Sequence, residues 1–256
     1  MILQRLATSI RKQDWFTVLI ETLIVVLGVF LGIQLGNWND ARGDHAREAV
    51  YLERLVGDLE RDGDVLREVT QSQQARLAAI AAILGDAFGE AQPESLKTSA
   101  SVGDHETEFP FPPGLELNEA ERDSFLSYAL LGRIFNETNT TFASLQSTGD
   151  IVILRNQDLA YELARYYATV DNVKELEEGT VRRARDEAAT VAKRNGLNPF
   201  GRNDYDAVVA AVAADPELAA SLRALRSMAV LDYSAVTTVS GWAAELGPRV
   251  AAEAGE

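Results

Sequence analysis

Residues 16–35 are apolar or small throughout, apart from Glu21, Gln34 and two threonines. At 1.5 Å of rise per residue, a helix of this length reaches about 30 Å, the thickness of a bilayer's hydrocarbon core. Trp15 and Trp38 flank the run, where amphipathic aromatic rings favour the head-group level, and they are the expected interface anchors. A cleaved signal peptide would have an apolar stretch of about 7–15 residues and a small-residue cleavage site. This run is longer and leaves through Leu35-Gly36-Asn37-Trp38-Asn39-Asp40, so it reads as an uncleaved anchor.

Orientation follows from the basic residues. Arg11 and Lys12 precede the span, whereas Asp40 and Asp44 offset Arg42 and Arg47 after it. The positive-inside rule then predicts a cytoplasmic tail over 1–14, a transmembrane helix over 15–38 and an extracytoplasmic domain over 39–256. In a bacterium this is a single-pass inner-membrane protein with a periplasmic domain.

Glycine recurs at every fourth position late in the span. On a helix, Glu21, Val25, Gly28, Gly32 and Gly36 fall within roughly 60° of one another, while Gln34 points elsewhere. Glycine costs about 1 kcal/mol in a helix interior, but small-xxx-small spacing lets two backbones approach closely in lipid. These five residues are therefore the predicted helix–helix contact. Glu21 lies roughly 9 Å inside Trp15, within reach of the cytoplasmic interface or of a helix contact.

Beyond the span the chain reads as all-α. With 46% hydrophobic residues in 256, it can bury a sizeable core. Leu52, Leu55, Leu59, Leu66, Val69, Leu77, Ile80 and Leu84 repeat at about three-four spacing, predicting a long amphipathic helix that only Gly43 separates from the span. An irregular region follows over 92–117, containing Pro93 and Phe109-Pro110-Phe111-Pro112-Pro113-Gly114. Asn118 is placed to cap a helix carrying Phe125, Leu126, Leu130 and Phe135. Thr140 to Thr148 predicts a short helix closed by a left-handed Gly149. Asn156 predicts the cap of a long helix running to about Gly196, with a stripe of Leu159, Leu163, Tyr166, Val170, Val173 and Leu176. Asp204 to Ala214 predicts a shorter one. Asp215-Pro216-Glu217 predicts the start of the last, which should end at Gly247-Pro248. With no strand alternation, the expected architecture is an antiparallel helical bundle with long helices.

Two segments together resemble a family of uncharacterised bacterial single-span membrane proteins, known only as a domain of unknown function. One is the span itself, with an acid near its start, glycines late and an Asn-Trp-Asn exit, here Glu21 to Asp40. The other is TTFASLQSTGDIVILRNQDLAYELARYY, Thr140 to Tyr167. The resemblance implies this topology and carries no activity with it. The chain departs from the pattern in its richness in alanine and arginine and in Gly36 directly before the Asn-Trp-Asn.

Several function classes are disfavoured. The absence of cysteine excludes disulfides, thiolate metal sites and thiol catalysis. The net charge of −15, carried beyond the span, repels phosphate backbones and disfavours sequence-independent nucleic-acid binding. Asp104, His105, Glu106 and Glu108 lack a second histidine at ligand spacing. Asp58, Glu60, Asp62 and Gly63 start like a calcium loop, but its twelfth position is Val69. No catalytic signature is present, and no metal, cofactor or enzymatic activity is expected. The expected role is a membrane-anchored envelope module that meets the lipid bilayer and binds a second copy, or another membrane protein, through the glycine face. The alternative is a ligand-sensing helical domain that signals through a partner protein.

Overall fold

A computed structural model describes residues 15–98, 107–113, 115–133 and 135–255. The chain divides into two compact units, Met1–Val50 and Tyr51–Glu256. Helix α1, Trp15–Phe88, contributes to both without interruption, so Gly43 breaks nothing. In the first unit every described residue from Leu19 to Ala41 is exposed.

In the second unit α1 is followed by β1, Ser95–Thr98, and β2, Thr107–Pro110. A 3-10 turn, Glu119–Ser124, leads into α2, Phe125–Leu130. Next come α3, Thr140–Thr148, a 3-10 turn at Asp150–Ile153, and α4, Gln157–Leu176. A π turn, Glu177–Val181, joins α4 to α5, Arg182–Arg194. Helices α6, Tyr205–Ala214, and α7, Pro216–Ala254, complete the chain.

The caps form where side-chain chemistry supplies acceptors for unpaired N–H groups. Asn156 Oδ1 accepts from the Leu159 N–H at 3.0 Å, and Asp215 Oδ1 from that of Glu217 at 2.9 Å. Gly149 closes α3 at φ 77°, a conformation costly for any residue with a Cβ.

The long stripes become the core. Leu52, Leu55, Leu59, Leu66 and Val69 of α1 cluster with Leu159, Leu163, Tyr166 and Val170 of α4 and with Val236, Val239 and Leu246 of α7. A second cluster joins Ile80, Ile83 and Leu84 to Phe125, Leu126 and Leu130, to Ala188 and Val191 of α5, and to Leu218, Leu222 and Leu225 of α7. Each buried leucine contributes about 1.5–3 kcal/mol, which outweighs the weak helix propensity of the intervening polar positions.

Three expectations need correction. The region over 92–117 contains strands: β1 and β2 pair antiparallel, with Leu96 opposite Phe109. Leu96, Phe109 and Phe111 pack on Leu77, Ala229 and Val230, so packing onto helices holds four-residue strands too short to show alternation. The helix after Asn118 ends at Leu130, and Phe135 enters the core from the segment beyond it. Helix α7 passes through Gly247 and Pro248 to Ala254, because Leu246 and Val250 on either side are both buried.

Candidate functional site

The predicted contact residues Glu21, Val25, Gly28, Gly32 and Gly36 all lie on α1, and all are exposed. A Cβ added at any of the three glycines meets nothing within 4 Å. Trp15 opens the helix, and Trp38 is 65% exposed, with the Arg42 guanidinium 6.0 Å from its ring centroid.

The second unit buries polar chemistry in two places. On α1, Asp58 and Asp62 lie one turn apart within the leucine stripe, and both are buried. Asp62 Oδ1 accepts from the Thr138 N–H at 2.6 Å, and Asp58 Oδ2 from the Thr141 N–H at 3.3 Å. Asn139 makes no side-chain cap of its own, so these two carboxylates supply acceptors at the start of α3 from a different helix. Asp62 Oδ2 accepts from the Tyr166 hydroxyl at 2.9 Å. Tyr167 stacks on Phe142 with centroids 4.6 Å apart and meets Tyr166 edge-on at 5.0 Å. Both adjacent tyrosines are therefore buried.

Burial raises the Asp62 carboxyl above its ordinary value, opposed by its bonds from Thr138 and Tyr166. Burial, with the Asp62 charge next, pushes both tyrosine hydroxyls well above theirs. Tyr166 and Tyr167 thus remain protonated donors, which fits a structural clasp rather than a nucleophile.

The other polar centre joins α1, the π turn and α7. The Gln73 amide donates to Asp232 Oδ2, and Arg76 Nη1 donates to Gln73 Oε1 at 2.6 Å. Arg185 Nη1 donates to Glu177 Oε1 at 3.2 Å. Gly132 lets the chain run against this centre, since a Cβ there would sit 1.8 Å from Arg76 Nη2. Among the described residues, Arg76 Nε and Nη2, Glu177 Oε2 and Asp232 Oδ1 are buried without a hydrogen-bond partner. Burial pushes the Asp232 carboxyl up to about 7, reinforced by the Glu177 charge and opposed by Arg76 and Gln73. Burial likewise lowers the Arg76 pKa, against the Glu177 charge. A guanidinium nonetheless stays protonated in proteins.

No residue of this centre appears among the predicted contact residues. The available signal was polar side chains at core spacing: Gln73 and Arg76 between Val69 and Leu77, and Asp232 between Val230 and Val236. Periodicity marks their burial, but not what they meet. Among the described residues no group of three or more His, Asp or Glu could hold a metal. Asp104, His105 and Glu106 lie outside the described residues. Helix α1 runs straight through Asp58, Glu60 and Asp62, which no calcium loop does.

These features are those of an almost wholly helical, all-α-type protein in which, among the described residues, one N-terminal helix is long and apolar enough to cross a membrane. Comparison with protein-family models, with curated proteins and with solved structures gave no match.

Proposed function

We propose that this is a membrane-anchored helical module that associates with a second copy of itself through the glycine face of its span. The observation that carries this reading is the contrast between the units. The apolar window of α1 is 0% buried, whereas the second unit assembles its own core. So much exposed apolar surface is costly in water and is stabilised in lipid. In lipid, helix association rests on close packing, which Gly28 and Gly32 permit and bulkier residues forbid. The reading includes a cytoplasmic N-terminus, from the charge pattern around the span, and an antiparallel arrangement of the outer helices. It agrees with the resemblance carried by Glu21 to Asp40 and by Thr140 to Tyr167.

Crosslinking in native membranes tests the proposal, using single cysteines in this cysteine-free chain. A cysteine at Val25 should trap a dimer, one at Leu27 should not, and Gly28→Leu with Gly32→Leu should abolish trapping. Equal trapping from both positions, or recovery of the chain in the soluble fraction, would overturn it.

A further inference from the structure

The centre around Asp232 holds more hydrogen-bonding capacity than its neighbours satisfy. Glu177 and Asp232 both line a cavity of about 10 Å³, room for roughly one water. Each also has one buried oxygen without a partner. Charged groups surround the pair on every side: Arg76 from α1, Arg133 from the segment after α2, Lys174 from α4 and Arg185 from α5. Two of these cations are engaged elsewhere, and Arg185 holds Glu177 itself. Arg133 pairs with Glu68 at 2.6 Å, Lys174 with Glu137 at 2.9 Å, and Arg185 with Glu177. Among the described residues, the hydrogen bond that Asp232 accepts comes from a neutral amide, that of Gln73.

We propose that Asp232 and Glu177 form a proton-operated latch between α7 and the π turn. With a proton on Asp232, its O–H is a donor for the unpartnered Glu177 Oε2, directly or through one water. When the proton leaves, two carboxylates line one cavity, each with a buried oxygen that accepts no bond, and the contact loosens. The π turn is the element placed to yield, because i→i+5 turns are rare and recur at functional positions. Since Asp232 titrates near 7 when folded, against 3.8 as an ordinary aspartate, the folded state holds the proton more tightly. The stabilisation is complete below about pH 4 and is lost as pH rises through 7. The latch is independent of the membrane segment and of the association proposed above.

The test uses the full chain in detergent micelles, with thermal unfolding and amide hydrogen exchange followed across pH. The parent Tm should fall by about 5–10 °C between pH 5 and pH 8. Asp232→Asn keeps the shape but not the titration and should show less than half that fall, and Glu177→Gln should also flatten it. The exposed control Asp64→Asn should leave the slope intact. After correction for intrinsic rates, exchange over 173–181 and 228–236 should quicken from pH 6 to pH 8 in the parent. An equal Tm slope in Asp232→Asn, or pH-independent exchange in both segments, would overturn the latch. If Asp232→Asn does not fold, the parent exchange profile decides the matter.

Discussion

Asp62 on α1 accepts a hydrogen bond from the hydroxyl of Tyr166 on α4 at 2.9 Å, across 104 residues of chain. The same carboxylate accepts the Thr138 N–H, so one side chain ties α1 both to α4 and to the entrance of α3. Asp62→Ala leaves a hydroxyl and an amide without their acceptor, and should cost about 2–4 kcal/mol in urea unfolding. Tyr166→Phe removes one of the two donors and should cost less, about 1–2 kcal/mol. A loss below about 0.5 kcal/mol for Asp62→Ala would show that the clasp contributes nothing net.

Gly149 ends α3 in the left-handed region with open space around its Cβ position. Gly149→Ala therefore meets no neighbour and should cost only the backbone term, about 1–2 kcal/mol. Gly63→Ala on α1, also in open space but helical, should be neutral or stabilising by up to about 1 kcal/mol. Equal costs at the two sites would contradict the conformational explanation.

Pro248 lies inside α7 and has no N–H to offer the carbonyl one turn earlier. Pro248→Ala should restore that bond and stabilise the second unit by about 1–3 kcal/mol, read as a raised midpoint in chemical unfolding. A lowered midpoint would mean that the proline's ring packing outweighs the missing bond.

Gly132 approaches Arg76 too closely for any side chain. The guanidinium is buried, so displacing it disturbs its packed neighbours, and Gly132→Ala should cost about 1–3 kcal/mol. With Arg76→Met in place, the same change should cost markedly less. A double-mutant cycle measures that coupling, and strict additivity would show that the two residues do not compete for space.

Local chemistry was readable in the sequence, and distant pairing was not. Asn156, Asp215-Pro216 and Gly149 act within a few residues of themselves, so their roles follow from spacing alone. The stripe from Leu52 to Leu84 is likewise buried throughout, because period and burial are the same physical statement on a helix. Helix α7 outran its expected end at Pro248 because flanking burial outweighed a local breaker. The ribbon escaped because Ser95–Thr98 and Thr107–Pro110 are held by contacts with Leu77 and Val230 rather than by their own pattern. For the polar centres the difficulty is greater still. That Asp58 would serve Thr141, or Gln73 reach Asp232, depends on a tertiary arrangement that no local window contains.

The entrance to α3 relies on carboxylates made long before it, since Asp62 precedes Thr138 by 76 residues and Asp58 precedes Thr141 by 83. During synthesis α1 therefore emerges with two carboxyl groups set among its leucines, and water solvates them until their backbone partners arrive. A polypeptide cut short before Thr138 would never supply those backbone donors, and its unfinished core would stay hydrated at both carboxyl groups.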